Sequence, residues 1–221
     1  MKNEEEKKGL IAALGELPLF PLPQVVLFPR ALLPLHIFEP RYRAMLKDVI
    51  ETHGAMAIAL IDPSGEVDAH GHPKIASVAG AGIVVEHQTM ADGRSNILLH
   101  GTARVRIEEL PFIPPYRRAK ATILEDVVVD VTADDRAVLL AAATAFSSEV
   151  HKRDPNFSFR LPPNVEAGTL ADLCAHHLII DAHVRQTLLE ERDVSARVQT
   201  VIRELANQQH ALNKDSGGVL H

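Results

Sequence analysis

Leu17–Ile50 reads LPLFPLPQVVLFPRALLPLHIFEPRYRAMLKDVI, and its prolines decide how the chain can fold. Pro18, Pro21, Pro23, Pro29 and Pro34 stand between short apolar runs. Each ring excludes a helix interior and removes one ladder donor, so the stretch must be extended. Leu19-Phe20, Val25–Phe28 and Leu32-Leu33 are too short for helices and too apolar for a solvated linker, which predicts buried strand pieces turned at proline corners. After Pro40 the period changes. Tyr42, Met45, Leu46, Val49 and Ile50 recur at three and four, so Arg41–Glu51 is predicted as an amphipathic helix capping the open end of a small sheet.

Working outward, Ala55–Ile61 is a continuous apolar run, read as a buried strand ending at the Asp62-Pro63-Ser64-Gly65 turn. The polar loop 66–74 carries Asp68, His70 and His72. Ile75–Glu86 reads as a strand whose small central residues mark a bend or the close approach of another backbone. An Asp92-Gly93 turn follows, and Ser95–His100 and Thr102–Glu108 resume the extended pattern around Gly101, implying two antiparallel strands with one dry face and one wet. Tyr116–Val131 supplies a last extended run, in Ala119–Leu124 and Val127–Val131. All strands are expected before residue 132.

The opening stretch resembles the start of the Lon protease N-terminal domain family, written L-P-L-x-P-L-x-x-V-V-x-F-P-x-x-x-x-P-L-x-I-F-E-x-R-Y, a form shared with stand-alone and cereblon-like proteins. GAGIVVEHQTMADGRSNILLHGTARVRI resembles the family's next block in order and turn. TLADLCAHHLIIDAHVRQTLLEERDVSARVQTVIREL resembles its helical block, with Leu170, Ala171, Asp172, Gln186, Leu188, Leu189, Glu190, Asp193 and Arg197 in place. The resemblance spans about residues 16–210, with local departures at His36, Ala103 and the His176-His177 pair. It implies an α+β fold: a PUA-like β pseudo-barrel as the N-terminal half, then a C-terminal helical bundle. The expected organisation is a flexible arm over 1–15, a β-rich part over 16–131, a helical part over 132–212 and a loose tail over 213–221.

Within the helical part, Thr132 with Asp134 and Asp135 reads as a helix start. Arg136–Val150 is predicted helical, with Val138, Leu139, Ala142 and Phe146 on its apolar face. The loop Lys152–Pro163 alternates Phe157, Phe159 and Leu161 with polar residues, and these cannot all be exposed cheaply. Thr169 is read as the cap of a helix reaching Leu178, Ala182–Glu191 as another, and Val198, Val201, Ile202 and Leu205 as the stripe of a last one reaching about Leu212.

Composition narrows function. The 221 residues are 46% apolar with a formal charge of -6, enough for a core and lacking the dense basic run that a phosphate backbone requires, so nucleic acid is excluded as the main partner. The single cysteine, Cys174, forms no internal disulfide, and the N-terminus lacks the apolar run of a signal peptide or membrane span. A cytoplasmic protein with no membrane partner is expected. The sequence has no G-x-x-x-x-G-K-[ST] phosphate loop, and the chain stops before the ATPase and Ser-Lys peptidase of full-length Lon would begin, so no enzyme activity is expected. Cys174 with His176, His177 or His183 is a poor nucleophile set, because positions two and three apart on one helix diverge. Asp68 with His70 and His72, or Asp172 with His176, leaves a tetrahedral metal site incomplete. Glu149 and Asp154 read as surface acids. No metal or cofactor is expected.

What the resemblance implies is binding. The family's N-domain captures unfolded or tagged polypeptides in protein quality control, with a protease or chaperone as a further partner. The expected groove lies where the β part meets the helical part, lined by Phe38, Tyr42, Phe157 and Phe159, with Glu39, Arg41 and Arg43 around it. The alternatives are a cereblon-like site for a small ligand or modified peptide, and an unrecognised hydrolase or metal-dependent enzyme.

Overall fold

The computed structural model describes residues 2–127, 131–161 and 164–216. It divides into two compact units, Met1–Glu125 and Asp126–His221, earlier than the boundary expected after Val131. The reason is local. Val127 donates its N–H to Arg192 O and accepts from Val194 N, so the chain joins the helical unit as soon as the last strand ends. Of the extended run expected over Val127–Val131, residues 128–130 lie outside the described residues.

The first unit holds six strands: β1 (Leu17–Leu22), β2 (Leu32–Ile37), β3 (Ala55–Leu60), β4 (Val78–Thr89), β5 (Ser95–Glu109) and β6 (Arg118–Ile123). Their order is β2-β5-β4-β3-β1-β6, and β5 also pairs with β6, which closes β5-β4-β3-β1-β6 into a ring. Length makes this possible. The first residues of β5 pair with β2, from Ser95↔Ile37 to His100↔Leu32, and its last pair with β6, from Val105↔Ile123 to Glu109↔Ala119. β5 runs unbroken through Gly101, where two separate strands were expected, and the pairing with β4 shifts register there.

Small side chains fill the ring, as a narrow barrel demands. Ala55, Ala57 and Ala59 of β3 join Ala79, Ala81, Ala119, Ala121, Leu17, Leu19, Val105 and Ile107 in one buried cluster. Met56, Ile58 and Leu60 alternate with those alanines and are equally buried. Helix α2 (Pro40–Glu51) starts one residue earlier than expected, with Pro40 in its first turn, and packs on β1, β2 and β3 while burying Tyr42, Met45, Leu46 and Val49. Ile50 is 41% exposed, because it falls at the edge of that stripe.

Two expectations need correction here. Val25–Phe28 forms no strand, although Val26, Leu27 and Phe28 are buried. It crosses where Gly80 and Gly101 lack side chains: a Cβ at Gly80 would overlap the Leu27 carbonyl, and one at Gly101 the Phe28 carbonyl. The close backbone approach expected from the small residues of β4 is therefore present. The second correction concerns the N-terminal arm, which is helix α1 (Lys2–Ala13). Leu10 is fully buried in the barrel cluster, and Glu6, within the segment expected to be a flexible arm, is buried against His100 Nδ1 at 2.6 Å.

The second unit holds α3 (Ala133–Arg153), α4 (Ala167–Leu178), α5 (Ala182–Glu190) and α6 (Val194–Ser216). Thr132 caps α3 as expected, in a reciprocal capping box with Asp135. The buried stripe of α3 is Leu139, Ala143 and Phe146, while Val138 points outward at 52% exposure. Thr169 does not cap α4. That helix starts three residues earlier, at Ala167 after Glu166, and Gly168 lies against the Arg197 guanidinium. Asp181 caps α5 through His183 N and Val184 N, and Asp193 accepts from Ser195 N and Ala196 N at the start of α6. Residues 213–216 of the expected loose tail continue α6, whose first breakers in the sequence are Gly217 and Gly218, and residues 217–221 lie outside the described residues.

Candidate functional site

The residues singled out from the sequence fall on both units. In the first, β2 runs out through buried Ile37 into Phe38, which is 59% exposed and whose ring stacks beside His36 at 6.1 Å. His36 Nδ1 meets Asn96 Oδ1 at 2.7 Å, which fixes the ring that Phe38 leans on. Glu39 precedes α2 without capping it, because its carboxylate accepts from Arg41 Nε at 3.0 Å. The Arg41 guanidinium lies 4.5 Å from the centre of the Tyr42 ring. Tyr42 itself is buried against Phe20 at 4.3 Å, and burial raises its phenol above the ordinary range. It supports Arg41 from beneath the surface. Arg43 is exposed and lies along Gly93, whose φ of 81° and lack of a Cβ leave room for the guanidinium.

The second unit places Phe157 and Phe159 together in one open cleft of about 450 Å³. One wall is a face of α3, with Leu140, Thr144, Ser147, Ser148 and His151 at helical spacing. The other is the returning segment Phe157–Leu161. That return is well determined by its own bonds. Asn156 N donates to Asp154 Oδ1, Phe157 N to Asp154 O, and His151 Nδ1 lies 2.9 Å from Phe157 O, so its proton sits on Nδ1. Phe157, Phe159 and Leu161 are half-buried, whereas Ser158 and Arg160 between them are exposed. Phe159 also meets the His177 ring at 5.7 Å.

Reactive chemistry finds little footing. Cys174 is fully buried in α4, and burial pushes its thiol up to about 12. Burial likewise lowers His177. Asp172 is committed to Arg197 at 3.0 Å, which removes it from any pairing with His176. Asp68 holds its own loop: Oδ1 accepts from His70 N and His72 N at 2.8 Å each, and both imidazoles pack against Phe112. Glu149 is paired with Lys152 and Arg153, which keep its carboxyl low. Among the described residues, no group of three or more His, Cys, Asp or Glu side chains is arranged to hold a metal.

One feature of the first unit escapes sequence reading. A cleft of about 660 Å³ opens between the end of α1, the end of α2 and the start of β1. Tyr116 donates to Asp48 Oδ2 at 2.6 Å and accepts from Arg118 Nη2 at 3.0 Å within it. Burial and the Asp48 bond raise the Tyr116 phenol. Residues 12–18, 48–55 and 116–118 come together only through barrel closure, so no local spacing announces them.

The family model described as the ATP-dependent protease La (LON) substrate-binding domain matches residues 16–207. The chain belongs to this family. Among curated relatives, it is 29% identical over 200 residues to Lon protease 2 of Sorangium cellulosum, covering 88% of this chain and 25% of that protein. It is 27% identical over 206 residues to the Lon protease of Anaeromyxobacter dehalogenans, covering 92% and 24%. The chain thus spans about a quarter of the length of the curated relatives it matches. Among solved structures, the Lon N-terminal domain protein of Xanthomonas campestris superposes with a TM-score of 0.62 at 22% identity, over 85% of this chain and 97% of that one. The N-terminal domain of the Mycobacterium avium complex Lon protease gives 0.62 at 16% identity, over 86% and 98%. These two likenesses show the LON substrate-binding domain fold. Helix α1 lies outside the matched residues, and no helix among the described residues is long and apolar enough to cross a membrane.

Proposed function

We propose that this chain is a non-catalytic recognition module that captures unfolded or tagged polypeptides, working in cytoplasmic protein quality control beside a protease or chaperone. One observation carries the reading: in a LON substrate-binding domain, Phe157 and Phe159 stand half-buried along an open cleft. Half-buried aromatics at a cleft have area left to cover and lose little conformational entropy when covered. Phe38, flanked by Glu39, Arg41 and Arg43, offers a second exposed aromatic with a charged rim. Buried Cys174 and the committed carboxylates of Asp68 and Asp172 favour binding over covalent or metal chemistry.

The test is retention of a permanently unfolded, reduced and alkylated test protein by the immobilised chain. Wild type should retain it and release it to competing unfolded chain. The double variant Phe157→Ser, Phe159→Ser should lose at least tenfold in affinity with its circular dichroism unchanged, and Phe38→Ser should lose less. Undiminished retention by the folded double variant removes the α3 cleft from the proposal.

A further inference from the structure

We infer that the α3 cleft takes an extended apolar segment that carries a carboxylate, and that Arg160 reads the charge. The inference rests on the polypeptide-capture reading above and adds the chemistry of the occupant.

Charge complementarity selects the occupant. The ten residues lining the cleft are Leu140, Thr144, Ser147, Ser148, His151 and the run Phe157–Leu161, and none is an acid. The nearby cations of α3 are already used, since Lys152 and Arg153 both pair with Glu149. Arg160 differs. It is exposed beside two phenylalanines and has no ion-pair partner among the described residues. An occupant that brings a carboxylate there gains a charge-assisted, bidentate contact at the edge of an apolar wall, where the effective dielectric is lower than in bulk water. A basic occupant meets Arg160 with like charge.

The free hydroxyls of the cleft favour an extended occupant. Thr144 already donates to Leu140 O, but the hydroxyls of Ser147, Ser148 and Ser158 make no hydrogen bond among the described residues. A helical occupant arrives with its backbone satisfied and has no use for them. An extended one brings unpaired N–H and C=O groups that cost free energy unless met. Burial along 157–161 alternates residue by residue, which suits the two-residue period of an extended occupant's side chains.

The test uses the full chain and three fluorescent peptides with blocked termini: alternating leucine and serine, alone or with two serines replaced by aspartate or by lysine. Fluorescence polarisation at low salt should give the aspartate peptide at least tenfold tighter binding than the lysine peptide, with the ratio shrinking as salt rises. Arg160→Gln should erase the difference, Arg160→Glu should invert it, and the surface control Lys120→Glu should leave it unchanged. Phe159→Ser should weaken all three peptides. Equal binding of the aspartate and lysine peptides by wild type, still weakened by Phe159→Ser, overturns the charge inference and leaves polypeptide capture standing. Failure of every peptide together with failure to retain the unfolded test protein overturns both.

Discussion

The Arg197 guanidinium is fully buried and holds the Asp126 carboxylate in two parallel hydrogen bonds, Nη1 to Oδ1 at 3.1 Å and Nη2 to Oδ2 at 2.7 Å. Its Nε faces Asp172 at 3.0 Å, and Nη1 also donates to Glu191 O at 2.7 Å. One cation therefore joins the entry of the helical unit to α4 and α6. Breaking a buried pair from one side strands the other charge, which typically costs about 3–5 kcal/mol. Arg197→Met should lower the urea unfolding free energy of the second unit by an amount in that range. A loss under about 1 kcal/mol, on the scale of an exposed pair, would mean the carboxylates find water instead.

Gly101 is squeezed from two sides. Arg30 N donates to its carbonyl, and its own N–H donates to Ala31 O, both at 2.8 Å, which presses the crossing chain onto β5. A Cβ there would overlap the Phe28 carbonyl, so Gly101→Ala should destabilise the first unit by about 1–3 kcal/mol or more, as overpacking does. Gly15→Ala is the control, since nothing lies within 4 Å of a Cβ at that position. Its change in unfolding free energy should be small, within about 0.5 kcal/mol. Equal effects at the two glycines would contradict the crossing.

Proline placement, the Ala55–Ile61 run and the Thr132 cap are local signals, and the structure follows them because strand breaks and caps depend on neighbours in sequence. What depends on distant neighbours was less legible. Val25–Phe28 has strand composition, but its place is set by glycines in β4 and β5. Helix α1 looks solvated until Leu10 meets the barrel interior and Glu6 meets His100. Of the proposed site, Phe157 and Phe159 could be picked out because alternation with polar residues marks a half-covered segment. The face of α3 opposite them could not, since Leu140, Ser147 and His151 carry no apolar stripe. Tyr42 is expected both on the apolar stripe with Met45 and Val49 and along the groove, and its burial puts it with the stripe.

Asp68 shows what a capping carboxylate does to its own titration. Backbone donation from His72, then from His70, holds it down from 3.8 to about 2. Its folded-state value is depressed, so its contribution to holding the loop is fully present above the unfolded value and is lost as pH falls through the folded one. The His70 and His72 amide resonances should show an acid transition with a midpoint of about 2 and none at 3.8. Asp68→Asn should abolish that transition while keeping the Oδ1 acceptor. A midpoint at 3.8 would show that the loop bonds do not persist in solution.

Cys174 makes the opposite case, in which burial favours the neutral form. Its thiol is raised to about 12, so at neutral pH the native protein should react with a disulfide reagent only through opening of the helical unit. The rate should follow the unfolding equilibrium set by added urea, and full labelling should appear at once in concentrated guanidinium. Linkage gives a second signature. With the folded value raised, stability is complete below the unfolded thiol value near about 8.5 and declines as pH rises from there toward about 12. Tyr42 and Tyr116 also titrate in alkali, so the readout is the difference between wild type and Cys174→Ala in urea midpoint from neutral pH upward. Wild type should lose ground to the variant above about pH 9, where an unfolded thiol ionises and the buried one does not. Rapid labelling of the native chain at neutral pH, with no such divergence, would place the thiol in solvent and reopen its pairing with the neighbouring histidines.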